Sequence, residues 1–206
     1  MFNDKLTSVF RNCLGPVVDL TAVNLGRWPI ETDAQRRTSL TAVILKVKHL
    51  PYSEREALVD LTVAHSGIHL DRQPMMTSAQ VCALAAKGFE IGAHTVSHPI
   101  LRELSDADAA HEIQTSRAQL QAITGQQVEM FAYPNGRPGE DYDLRHTAMV
   151  EQAGFIGAVS TIPGAASKDD DLYQIPRFTP WHGASWKSGV QFLRNYRTPI
   201  RALKAT

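Results

Sequence analysis

A chain of 206 residues whose 21 basic side chains offset 21 acidic ones carries no net field toward nucleic acid or anionic lipid, which excludes polyelectrolyte partners as its main target. Its 43% apolar and 20% charged residues belong to a core-forming protein rather than a disordered one, and the length is read most simply as one structural domain. Cys13 and Cys82 lack a Cys-x-x-Cys spacing, so neither a disulfide framework nor a thiolate zinc knot is expected. No stretch approaches the ~20 apolar residues of a membrane span, and the residues after Met1 do not read as a signal peptide; for the sequence as it stands a cytoplasmic location is expected.

Residues 1–75 read as a helical segment. Apolar positions Phe2, Leu6, Val9, Phe10 and Cys13 follow a helical period that Gly15-Pro16 stops. A short Val/Leu-rich stretch from Val17 to Trp28 leads to a second helix from Asp33 toward Lys48. Pro51 then breaks the chain, and Ser53 with Glu56 predicts a capping box opening a third helix that ends near Gly67.

Over residues 76–180 the rhythm changes to capped helix, glycine, apolar strand and polar loop, which predicts α/β architecture with parallel strands. Thr77 with Gln80 caps a helix stopped at Gly88, before a strand at Phe89–Ala93. Ser105 with Asp108 caps the next, stopped by Gly125 before Val128–Ala132. A third helix runs from Asp143 to Gly154 and into Phe155–Val159. Residues 181–206 read as a helical tail whose Arg194, Arg197, Arg201 and Lys204 form a solvated face.

In parallel α/β folds the loops after the strands hold the chemistry. The first contains His94 and His98, four apart, as in Gly92-Ala93-His94-Thr95-Val96-Ser97-His98-Pro99. Two neutral imidazoles at that spacing can converge on one divalent ion if the backbone turns helically between them. The competing reading is a pair of surface or capping histidines. After the next strand, Tyr133-Pro134-Asn135-Gly136 makes a tight loop whose backbone N–H groups can stabilise an oxyanion, or a plain turn. Arg177, in Ile175-Pro176-Arg177, either faces the same mouth or pairs with Asp169, Asp170 or Asp171.

Taken together, Gly88-Phe89-Glu90-Ile91-Gly92-Ala93-His94 through His98-Pro99-Ile100-Leu101, Phe131-Ala132-Tyr133-Pro134-Asn135-Gly136, Ala153-Gly154-Phe155 and Ile175-Pro176-Arg177 resemble the polysaccharide deacetylases, the carbohydrate esterases of family four. The resemblance covers about Met75 to Phe178, roughly the second half of that domain. It implies a partial or deformed (β/α) barrel, here with an extra N-terminal helical segment. It also implies a carbohydrate deacetylase using a divalent metal, zinc first, with cobalt, nickel or manganese as alternatives.

On that resemblance His94 and His98 match the two histidine ligands. The Asn135 backbone N–H matches an oxyanion donor, Arg177 is a further catalytic candidate, and Tyr133 and Pro134 would contact substrate. The expected partner is an acetylated oligo- or polysaccharide. Tyr142, Trp181 and Trp186 are further rings that could stack on sugar.

Three departures bear on activity. The family's Thr-Phe-Asp-Asp-Gly strand, source of the base and the carboxylate ligand, occurs nowhere in this sequence, and Asp4, Asp19 and Asp60 do not stand in a comparable context. Ala132 replaces an arginine usual before the second motif's proline. His182 is the one late histidine available as a general acid. Weak or absent hydrolysis is therefore expected, with a catalytically silent carbohydrate-binding or assembly protein as the second reading. A sheet lacking those opening strands would expose edges, so a homo-oligomer is expected.

Overall fold

The computed structural model describes residues 2–70, 75–178 and 185–197. The chain divides into two compact units, Met1–Met76 and Thr77–Thr206.

In the first unit, helix α1 (Phe2–Asn12), strands β1 (Val17–Leu20) and β2 (Gly26–Pro29), and helices α2 (Asp33–Val47) and α3 (Tyr52–Ser66) enclose one apolar cluster. Phe2, Leu6, Val9 and Phe10 of α1 are buried there with Val43, Val47 and Val59, which is the helical period of the sequence turned inward. The Val17 to Trp28 stretch is an antiparallel hairpin with Val18 opposite Trp28, an element that its mixed composition did not announce. The predicted Ser53–Glu56 capping box does not form. Pro51 occupies the N-cap of α3 without a side-chain bond, and Glu56 instead accepts from Lys5 Nζ at 3.2 Å. Here a tertiary ion pair outcompetes a local cap. Asp60 also accepts from Lys5, while Asp19 is engaged by Thr21 and Arg27.

The second unit is mixed α/β. Helix α4 (Ser78–Ala86) opens with the predicted Thr77–Gln80 capping box, and α5 (Asp106–Thr124) is capped by Ser105 and closed by Gly125 in the left-handed conformation, as glycine at that position allows. Strand β3 (Met130–Ala132) pairs in parallel with β4 (Gly157–Val159), with Phe131 opposite Ala158. Helix α6 (Leu144–Gln152) lies between them in sequence, and α7 (Ser185–Tyr196) comes last.

All three predicted strands are shorter than expected. Phe89–Ala93 contracts to one parallel bridge, Ala93 to Phe131, because only Ala93 reaches the ladder and Phe89 points to solvent. A second bridge joins Val159 to Ile175. Four extended lanes therefore lie side by side in chain order, at Ala93, β3, β4 and Ile175; no closed barrel is present among the described residues. No helix among them is long and apolar enough to cross a membrane.

Arg117 of α5 fastens the entrance to these lanes, donating from Nε to Val128 O at 2.9 Å and from Nη1 to Ala153 O at 2.8 Å. Gly154 is favoured beside it. With φ at +83° and a would-be Cβ 2.7 Å from Arg117 Nη1, any other residue would be strained and would displace the guanidinium. Beneath the loops, Tyr133 and Tyr142 stack 3.9 Å apart with planes 6° from parallel, and both are buried.

His146 is wholly buried in α6. Its Nδ1 accepts the Asp143 N–H at 3.0 Å and its Nε2 reaches Leu101 O at 3.1 Å, the pattern of a neutral ring protonated on Nε2. Burial holds its pKa below the ordinary 6.5, although the Asp143 carboxylate 2.9 Å from Nδ1 opposes that shift. The unfolded chain therefore binds this proton first as pH falls, so the contribution is complete above 6.5 and declines below it. Urea titrations at about pH 7.5 and about pH 5.5 should show a loss of stability at the lower pH that is smaller in His146→Gln. An equal loss in both proteins would remove His146 as its source.

Candidate metal-binding and catalytic site

The chain leaves the sheet at Ala93, whose N–H donates to Met130 O at 2.9 Å and whose carbonyl accepts from Ala132 N at 2.8 Å. Gly92 just before allows this close approach, since a Cβ there would lie 3.2 Å from Met130 O and push the strands apart slightly. The next residue, His94, is thus carried to the end of β3. Its Nδ1 lies 2.7 Å from Ala132 O, so Nδ1 bears the proton and Nε2 keeps its lone pair. Hydrogen bonding by one ring nitrogen selects the other for a metal in this way.

The turn that follows is not helical, contrary to the sequence-based expectation. Thr95 and His98 stand at φ +61° and +57°, and for a β-branched residue such as Thr95 that conformation is strained. Thr95 Oγ1 accepts the His98 N–H at 3.1 Å. Glu112 of α5 accepts from Val96 N at 2.7 Å and Ser97 N at 2.9 Å on one carboxylate oxygen, and from the Ser97 hydroxyl at 2.5 Å on the other. So held, the loop brings the His94 and His98 rings to 4.7 Å between centroids at 75°. Among the described residues no group of three or more histidine, cysteine, aspartate or glutamate side chains is placed to hold a metal ion. Two imidazoles alone fall short of the three protein donors that a catalytic metal site normally has.

Crowding on one side of the His94 ring, which keeps an exposed edge, holds its pKa below 6.5; the Arg177 charge pushes the same way, and the Ala132 carbonyl opposes both. Arg177 makes its charge felt at His94. Its guanidinium makes no ion pair with Asp169, Asp170 or Asp171 among the described residues, where Asp170 binds Ser167 N and Asp171 binds Gln174 Nε2. Arg177 also lines an open cavity of about 680 Å³ with Asn135, Thr161, Phe178, Gln191 and Asn195.

Asn135 has φ +57°, its carbonyl is tied to Thr161 Oγ1 at 2.9 Å, and the neighbouring Gly136 carbonyl accepts Thr161 N at 2.8 Å. A Cβ on Gly136 would meet Thr161 N at 3.0 Å, so glycine is fixed there. The loop thus turns both carbonyls toward Thr161.

The Tyr133 ring is spent on packing. One face covers Tyr142 and the hydroxyl donates to Tyr173 O at 2.9 Å, so neither it nor Tyr142 offers a face to sugar; Pro134 is buried beside it. Trp186 is 69% exposed on α7. Trp181 and His182 lie outside the described residues. Sequence reasoning passed over Glu112 and Thr161, whose partners are distant in sequence, and Gln191, which reaches the cavity from α7. The one signal for Glu112 was an acid adjoining the buried Ala109 and Ile113 stripe of α5. Gln191 Oε1 is buried at the cavity without a hydrogen-bond partner among the described residues, a polar atom of the kind that calls for a donor.

Residues 55–156 match the family model described as polysaccharide deacetylase. YxkH of Bacillus subtilis (strain 168), whose name places it among polysaccharide deacetylases, is 28% identical over 116 residues, 56% of this chain and 40% of that protein. Two solved structures share the fold. The polysaccharide deacetylase BC0361 of Bacillus cereus has a TM-score of 0.50 at 20% identity, over 60% of this chain and 38% of that one. BA0330 of Bacillus anthracis has a TM-score of 0.51 at 22% identity, over 62% and 38%. The Streptococcus pyogenes deacetylase PplD, solved in complex with acetate, is 26% identical over 50% of this chain and 44% of that one, with a TM-score of 0.47. The chain spans about two-fifths of the length of these relatives.

Replacing Arg177 by glutamine removes one of the two influences that depress His94. Imidazole NMR titration should show the His94 pKa rising toward 6.5 in that variant. An unchanged value would place the guanidinium outside the electrostatic reach of the ring.

Proposed function

This chain belongs to the polysaccharide deacetylase family, and on that premise we propose that His94 and His98 bind a divalent cation, zinc first, and that the adjoining cavity receives a carbohydrate bearing N- or O-acetyl groups. The observation that carries the reading is the ring pair 4.7 Å apart with His94 Nδ1 committed to Ala132 O, which leaves Nε2 aimed away from its own backbone anchor. An ion held there supplies Lewis-acid activation of water and of the acetyl carbonyl.

The chain's own groups do the rest. The Asn135 N–H, for which no acceptor is present among the described residues, is the donor for an oxyanion forming on the acetyl carbon. Burial first, and the positive charge that Arg177 adds second, hold His94 in the neutral form that binds metal. Gln191 Oε1 accepts a hydroxyl or amide N–H of the sugar.

No carboxylate joins the imidazoles among the described residues, so a general base and a third ligand are lacking and hydrolysis by this chain alone is weak. The same lack favours the second reading, a carbohydrate-binding protein that retains the metal pair and cavity without turnover. The parallel lanes end at Ala93 and Ile175 among the described residues, and open edges of this kind are covered by further chain or by a second copy; homo-oligomerisation belongs to the same proposal.

Zinc titration of the purified chain against a chromophoric chelator should give stoichiometric uptake, weakened at least about tenfold in His94→Ala and in His98→Ala. Acetate release from acetylated chito-oligosaccharides should stay near background with zinc present. No uptake would remove the metal reading, and rapid release would remove the claim of weak hydrolysis.

A further inference from the structure

We propose that Glu112 is a positioning residue whose carboxylate builds the cation-binding geometry of His94 and His98 without touching the ion, an inference that rests on the metal reading above. The loop between the histidines makes an unfavourable pair of left-handed turns, at Thr95 and His98. Such a conformation persists only where its surroundings over-determine it. Within the loop, Thr95 Oγ1 accepts from His98 N and donates to His94 O. From outside it, Glu112 gathers three donors, the N–H groups of Val96 and Ser97 and the Ser97 hydroxyl.

An acceptor-only group fits that task. Two backbone N–H groups converge on Oε2 at 2.7 and 2.9 Å while Oε1 takes the hydroxyl at 2.5 Å, so both oxygens are engaged by the loop. Glu112 sits one residue before the buried Ile113 and three after the buried Ala109 on α5, a helix anchored at its start by the Ser105 cap. A rigid helix thereby sets where Val96 and Ser97 lie, and through them the direction in which His98 leaves the turn. Without the carboxylate, two backbone N–H groups lose their acceptors and the strained turn loses its counterweight.

A merely structural role would lower thermal stability and leave ion affinity alone, so affinity is the measurement that separates the two. Zinc competition against a chromophoric chelator is read for the unaltered chain and for Glu112→Ala, Glu112→Gln and Ser97→Ala. The Glu112→Ala variant should bind zinc 10- to 100-fold more weakly, the range seen when groups that orient metal ligands are removed. The Glu112→Gln variant should stay within about threefold, because its amide oxygen can accept both N–H groups and its NH₂ can donate to the Ser97 hydroxyl oxygen.

Ser97→Ala, which deletes one donor and leaves the backbone bonds, should fall between them and keeps the test open if Glu112→Ala does not fold. Unchanged affinity in Glu112→Ala, or in Ser97→Ala where that is the folded variant, overturns the inference. So does an equal loss in Glu112→Gln and Glu112→Ala, which would assign the effect to charge. An unaltered chain that takes up no zinc overturns the metal reading itself, whereas tight binding unaffected by these substitutions leaves that reading standing and removes only the role of Glu112.

Discussion

The parallel register that sets Ala93 against Phe131 is the constraint on which the second unit's chemistry depends. It uses both polar groups of the Ala93 backbone, one toward Met130 and one toward Ala132, and it leaves the Ala132 carbonyl to receive His94. Slipping the pairing by one residue would invert every side chain in the lane and turn His94 away from the end of β3. Close approach at Gly92 and the Arg117 clamp on Val128 and Ala153 hold the lanes against such a slip. A short ladder can thus carry a well-defined site because its register is pinned from outside the ladder.

Strain is concentrated where the histidines are. Thr95, His98 and Asn135 all occupy left-handed backbone conformations; Thr95 and His98 are joined through Thr95 Oγ1, Asn135 is tied to Thr161, and Glu112 holds the intervening Val96 and Ser97. The two loops after Ala93 and β3 therefore behave as preset shapes rather than as flexible connectors. Preset shape matters for a pair of neutral donors, since ordering them at the moment of binding would cost affinity.

What could be read in the sequence was local chemistry. The caps at Thr77 and Ser105, the helix start at Asp143 and the stop at Gly125 involve residues within a few positions of one another, and helices α4, α5 and α6 begin and end close to where those residues place them. The strands were harder, because their pairing is decided by partners tens of residues away. Phe89–Ala93 has a strand's composition and yet contributes one bridge, while the Val17–Pro29 hairpin escaped notice for want of a strong alternation. Ser53 and Glu56 had the spacing of a cap, but Lys5, 51 positions from Glu56, took the carboxylate. At the site, the spacing of His94 and His98 was visible and their proximity is observed. The backbone turn joining them and the grip of Glu112 were not visible, since both depend on α5 lying against the loop.

The stacked rings under the site have one more effect. Burial raises the pKa of both Tyr133 and Tyr142, well above that of a free phenol, so the layer supporting the Asn135 loop stays electrically silent over the whole range in which a histidine changes charge. Proton exchange at the mouth is then left to the imidazoles, with no phenolate to compete for a cation or to repel an incoming anion. Any tyrosinate appearing from this pair in alkaline solution would signal the opening of the packed layer rather than titration of a working group.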